Sequence, residues 1–103
     1  MEISPRMAME ANIREALRGV IDPELGHNIV DLGMVYDIDV GEDGTVAIVM
    51  TTTARFCPAS AFLQDAVSTS AGTVPGVSTV SVELTYDPPW TPDLMAPEIA
   101  RRF

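Results

Sequence analysis

The sequence predicts a small α+β domain of the form α-β-β-α-β-(α), and three observations carry that expectation. Hydrophobic periodicity switches along the chain from helical to alternating, then back to helical and to alternating again. Two strand-like segments are separated by the glycine-rich turn Gly41-Glu42-Asp43-Gly44, which suits a hairpin. Finally, 103 residues with 47% apolar content are enough for one core without disulfides or structural metals, and a lone cysteine cannot form an internal disulfide.

Each element has its own justification. Ser4-Pro5 reads as a hydroxyl N-cap followed by proline at the first helical position. Met9, Ile13, Ala16, Leu17 and Val20 follow at helical spacing, and Glu10 stands four residues before Arg14, in the favourable order for an ion pair. A first helix over about 5–18 results. "VIDPELGHNIVDLG" has an Asp-Pro step, two glycines and no clean period; it reads as an ordered apolar loop packed onto the domain. "MVYDIDV" is the first strand, with Met34, Tyr36, Ile38 and Val40 on one face, and "TVAIVMT" is the second, apolar on both faces.

"PASAFLQDAVSTSAG" carries Phe62, Leu63, Ala66, Val67 and Ala71 on one helical stripe. "STVSVELTY" is the third strand, with Val80, Val82, Leu84 and Tyr86 inward. If strand 3 runs parallel to strand 2, the simplest arrangement is a three-stranded mixed sheet of order 2-1-3, with strand 1 central and helices on one face. The whole chain, 1–103, is expected to be one domain. Its core covers about 5–90, and a proline-rich tail over 91–103 closes with a short helix near Pro97. Trp90, in "DPPWTP", reads as a lid on the core edge.

Charge excludes one class of partner. The formal net charge is −9, there is no lysine, and all six cations are arginines. An acidic surface repels phosphate backbones, so nucleic acid is not an expected partner; solubility, or a basic protein partner, explains the charge. No stretch is apolar for the roughly 18 residues that a membrane span requires, and no secretory leader is evident, so a cytoplasmic location without membrane association is expected.

The chemistry concentrates around Cys57, in "MTTTARFCPASAFL". Pro58 suits the first position of the second helix, which would make Cys57 its N-cap. A thiol there faces free N–H groups and the positive end of the helix dipole. That placement favours the thiolate, the form that binds metal or attacks electrophiles, and Arg55 adds a positive charge. On position alone, a functional thiol and a buried inert one are equally good readings. Thr51, Thr52 and Thr53 end strand 2, with Thr51 and Thr53 on one face. Asp22 and Glu24 stand near His27 in "DPELGH", where turn chemistry, with Asp22 as a capping acceptor, competes with metal ligation. With one histidine and no paired-ligand spacing, turn chemistry is the better reading of those residues. No phosphate loop, GxSxG or CxxC occurs.

"VIDPELGHNIVDLGMVYDIDV", "MTTTARFCP" and "VPGVSTVSVELTYDPPWTPDLM" together resemble the metal–sulfur cluster biosynthesis domain family. That family includes SufT-type iron–sulfur maturation proteins, the D subunit of the phenylacetate-degradation cluster and the cytosolic iron–sulfur targeting component. The likeness runs from about Ile13 to Met95. It implies an iron–sulfur-assembly-type α+β fold and a role in assembling, carrying or inserting clusters. The family's cysteine falls on Cys57, its Asp-Pro-Glu motif on Asp22, Pro23 and Glu24, and its threonine-bearing strand end on Thr51 and Thr53, all lining one site. The usual family segment, Thr-Leu-Thr-Thr-Pro-Gly-Cys-Pro, is here Thr51-Thr52-Thr53-Ala54-Arg55-Phe56-Cys57-Pro58. Ala54 lacks a hydroxyl, and Phe56 stands where glycine would open further backbone angles.

One cysteine cannot hold an iron–sulfur cluster by itself, since such clusters take four thiolates. A homodimer would supply two, and a partner protein or a small thiol the rest. The expected function is therefore an accessory factor that binds iron or a labile cluster transiently through Cys57. Asp22, Glu24, Thr51, Thr53, His27 and Arg55 line the site, and the partners are assembly proteins or client apoproteins. Two other readings stay open: a non-catalytic adaptor docking a client enzyme complex, and, less well supported, a thiol enzyme with His27 as its base.

Overall fold

In the computed structural model, residues 4–55 and 57–102 are described. Helix α1 spans Pro5–Leu17. Ser4 is extended, and its hydroxyl accepts the Met7 N–H at 3.2 Å, a cap worth about 1 kcal/mol. Ile13 and Leu17 are fully buried, while Arg14 and Glu10 meet at 3.6 Å on the solvent side.

Strands β1 (Val35–Val40), β2 (Thr45–Met50) and β3 (Thr79–Leu84) form one sheet. Helix α2 spans Ser60–Gly72 and connects β2 to β3. The β1–β2 pair is antiparallel and the β2–β3 pair parallel, in the order β1-β2-β3. The expected order 2-1-3 is thus wrong: β2, not β1, is central. The residues show why. β2 is apolar at five successive positions, Val46 to Met50, as suits a strand with neighbours on both sides. β1 and β3 carry Asp37, Asp39 and Glu83 exposed, and such charges protect sheet edges from further pairing. The α2 crossover lays β3 directly beside the strand it left.

Ile38, Val40, Val46, Ile48 and Met50 pack with Ile13, Leu17, Leu63, Val67 and Ala71 in the core. Asp37, Asp39, Thr45, Ala47, Ser81 and Glu83 are exposed. A bulge between Val35 and Asp37 interrupts the expected alternation, and the Tyr36 hydroxyl donates to the Pro88 carbonyl at 2.9 Å. In the hairpin turn Gly44 has φ +84, and an added Cβ would collide with the Gly76 carbonyl. There Thr45 donates to the Asp43 carboxylate through its hydroxyl (2.7 Å) and its N–H (3.2 Å), which holds that carboxyl below its ordinary value.

The 20–34 segment is an ordered loop with Ile29 and Leu32 fully buried. Ile29 N–H bonds the Val20 carbonyl and Met34 N–H the Ile29 carbonyl, both at 3.0 Å. Asp31 takes the Arg18 guanidinium at 3.1 Å and the Asn28 amide at 3.0 Å. The tail locks this loop from outside. Trp90 donates its indole N–H to the Leu32 carbonyl at 2.7 Å, and Ala96 N–H reaches the Asp31 carbonyl at 2.7 Å. Gly33, at φ +76, lies so close to the Leu94 backbone that a side chain there would overlap it. A 3-10 turn (Pro92–Leu94) and helix α3 (Pro97–Ala100) follow. Met95 and Ile99 are buried, so the packed core continues past residue 90 instead of ending there.

Candidate functional site

The segment that follows β2 leaves the sheet after one more rung on each side. β2 stops at Met50, and Thr51 N–H bonds the Met34 carbonyl at 2.9 Å. Strand alternation therefore does not sort the threonines as expected: Thr51 and Thr52 are both buried and Thr53 is half-buried. Their hydroxyls mostly serve the loop itself. Thr51 Oγ1 donates to the Thr52 carbonyl at 3.3 Å. Thr52 Oγ1 lies 2.8 Å from both the Ala54 carbonyl and the Tyr86 hydroxyl.

Cys57 is not the N-cap of α2. The helix begins at Ser60, with Ala59 in the capping position and no side-chain cap. Instead, the Cys57 carbonyl accepts both the Ser60 N–H (3.0 Å) and the Ser60 hydroxyl (2.8 Å). That pair of bonds closes a tight turn through Pro58 and displaces the helix start by two residues, so the dipole argument made for the thiol loses its geometric basis. Phe56, expected to flank the thiol, lies outside the described residues.

What stands beside the sulfur is a carboxylate. The Cys57 thiol, in a residue only 8% exposed, faces Glu24 Oε1 at 3.6 Å. Asp22 explains how Glu24 gets there. Asp22 is 1% exposed, and its Oδ2 accepts the Leu25 N–H at 2.9 Å. Its backbone N–H donates to the His27 carbonyl at 2.9 Å, and its carbonyl accepts the Gly26 N–H at 2.8 Å. Asp22 thus organises a closed turn with Glu24 on its rim. His27 completes that turn through its backbone and is half-buried.

Arg55 lies over an aromatic face. Its guanidinium carbon lies 5.0 Å from the centroid of the Tyr86 ring. Tyr86 is the site residue that sequence reasoning did not single out. Its signal was present in the parallel register: Met50 pairs with Leu84, so Thr52 and Tyr86 stand level two residues on. The expected order 2-1-3 concealed this by separating β2 from β3.

Among the described residues, no three His, Cys, Asp or Glu side chains are placed to share a metal ion. Glu24 and Cys57 place one hard oxygen and one soft sulfur side by side, and among the described residues no third His, Cys, Asp or Glu joins them. No described helix is long and apolar enough to cross a membrane.

A three-stranded mixed sheet with helices on one face, and a cysteine loop set against an Asp-Pro-Glu turn, define a recognisable class of small α+β protein. A domain of unknown function (DUF59) from Bacillus anthracis has this fold, with a TM-score of 0.89 and 34% identity, covering 94% of this chain and 92% of that one. The family model described as "Iron-sulfur cluster assembly protein" matches residues 10–84, and the chain belongs to that family. A Porphyromonas gingivalis protein named as an Fe-S protein maturation auxiliary factor is 44% identical over 89 residues, 86% of this chain and 85% of the relative. The Staphylococcus aureus maturation auxiliary factor SufT is 40% identical over 77 residues, 75% of this chain and 88% of its own length.

Proposed function

We propose that this chain is an accessory factor in iron–sulfur cluster assembly or delivery, and that it takes up iron or a labile cluster transiently through Cys57. The observation that carries the reading is the Cys57–Glu24 contact at 3.6 Å, between two segments far apart in sequence. A thiol must lose its proton to bind metal, and Glu24 already accepts the hydrogen bond from it. On metal entry the proton leaves to solvent by way of the Glu24 carboxylate, which ends ionised, and the sulfur keeps the electron pair that bonds iron. Asp22 fixes Glu24 in place. Thr51, Thr53, His27 and Arg55 border the same pair of loops and shape access to it.

With one thiol, the chain is suited to passing a cluster on, not to keeping one. Its role is that of a carrier or helper and not of an enzyme. The related maturation factors are named auxiliary, which agrees with this. Its partners are iron–sulfur assembly proteins or client apoproteins, and a second copy of the chain could supply a second thiolate. An adaptor reading draws on Phe62, which is 60% exposed on α2 near the cysteine turn and offers an apolar contact to a client.

Transfer tests the proposal. The chain is loaded anaerobically with iron, sulfide and a small thiol, freed of excess reagents, and mixed with an apo-ferredoxin. Gain of the acceptor's visible absorption, faster than from the same small-thiol complex alone, is the expected result. No acceleration would remove the delivery role and leave the adaptor reading.

A further inference from the structure

The electrostatics of the site pose a problem for its cargo. A cluster held by thiolates is an anion, since each thiolate adds a negative charge. This chain carries a net −9, and Glu24 adds a carboxylate next to the sulfur. Something must offset that repulsion.

Arg55 is the one cation in the 51–59 segment, two residues before Cys57. Arg14 and Arg18 pair with carboxylates, whereas among the described residues no carboxylate pairs with Arg55. It is exposed and rests on the Tyr86 ring, which neutralises no charge. The ring is itself held: its hydroxyl bonds the buried Thr52 hydroxyl at 2.8 Å, and Thr52 also bonds the Ala54 carbonyl at 2.8 Å. Tyr86 therefore ties both the backbone just before Arg55 and the guanidinium itself. An arginine held by an aromatic face keeps its N–H edge available to an anion.

We infer that Arg55, presented by Tyr86, is the anion-recognising arm of the cysteine site and steers a negatively charged cargo to Cys57. Tyr86 is a positioning residue that acts through Arg55. The inference deepens the delivery reading and rests on it for the identity of the cargo, but its test needs no iron.

The test compares alkylation of Cys57 by iodoacetate, an anion, with alkylation by neutral iodoacetamide at one pH and low salt. The iodoacetate-to-iodoacetamide rate ratio reports local positive charge and cancels simple changes in accessibility. In Arg55→Gln the ratio should fall about two- to five-fold, the span that an exposed charge interaction supplies. Arg55→Lys should recover part of it. Tyr86→Phe, which keeps the ring but loses its tie to Thr52, should lower the ratio in part, and Tyr86→Leu should lower it toward the Arg55→Gln value. Salt at about 1 M, where the screening length is near 3 Å, should erase the wild-type excess. An unchanged ratio in Arg55→Gln overturns the inference.

Should Tyr86→Leu not fold, the NMR shifts of the Arg55 side-chain protons replace it. An upfield ring-current shift in wild type and Tyr86→Phe supports the arm, and random-coil shifts overturn it. A failed ratio with intact cluster transfer would sink the arm alone; an intact ratio with no transfer would sink the cargo reading alone.

Discussion

The two loops that meet at the candidate site are built in opposite ways. The 20–34 loop, which carries Glu24, is part of the core: Ile29 and Leu32 are fully buried, Asp31 gathers a ring of polar contacts, and Trp90 closes over it. The 51–59 loop, which carries Cys57, is tied mainly through side chains. Among the described residues, no backbone acceptor is found for the amides of residues 52–55, and the hold comes from Thr52, Tyr86 and the Ser60 turn. The carboxylate thus projects from a turn anchored on the core, while the thiol sits on a segment with fewer backbone hydrogen bonds among the described residues. Under the proposed delivery role, this difference would place the weaker backbone hold on the side of the thiol.

The largest expected effect falls on the anchored side. Ile29→Ala should cost about 2–5 kcal/mol, read as a lower midpoint in chemical denaturation, because it leaves a cavity beneath the loop. A cost under about 1 kcal/mol would mean that the loop is not part of the cooperative core. Asp22→Ala comes next. It strips the Leu25 N–H of its buried acceptor, for about 1–3 kcal/mol, and should also release Glu24 from Cys57; Asp22→Asn should restore most of the loss. Thr52→Val, on the looser side, should cost about 1 kcal/mol and raise the iodoacetamide rate of Cys57. If it instead destabilised as much as Ile29→Ala, the contrast between the loops would be gone.

The smallest effect lies in the hairpin turn, away from both loops. The Asp43 carboxyl is lowered by the Thr45 hydroxyl and N–H bonds. Its contribution is present above its unfolded value of 3.8 and lost as pH falls through the lower folded value. Asp43→Asn should flatten the acid limb of stability slightly and leave Cys57 unaffected.

Most of this organisation was legible in the residues. Ser4-Pro5 marks the start of α1, Gly41 to Gly44 mark the hairpin, and Asp22 acts as the capping acceptor that "DPELG" suggests. Family motifs drew Glu24 and Cys57 into one site, although no local pattern relates two segments so far apart. The errors arose where tertiary geometry decides. Strand order depends on pairing, and the apolar run of β2 is explained by its central place in the sheet, with neighbours on both sides. The start of α2 depended on whether Pro58 begins a helix or a preceding turn, and Ser60 settles that by bonding back to Cys57. Tyr86 had no motif of its own; only the β2–β3 register brings it to Thr52.

Anaerobic loading is the most direct test of Cys57 as the ligand. Wild type, Cys57→Ser and Glu24→Gln are each incubated with iron, sulfide and a small thiol, desalted, and assayed for iron and visible absorption. The account predicts retained iron with sulfur-to-iron charge-transfer absorption in wild type, slower uptake in Glu24→Gln, and none in Cys57→Ser. Equal iron and equal absorption in wild type and Cys57→Ser would contradict it.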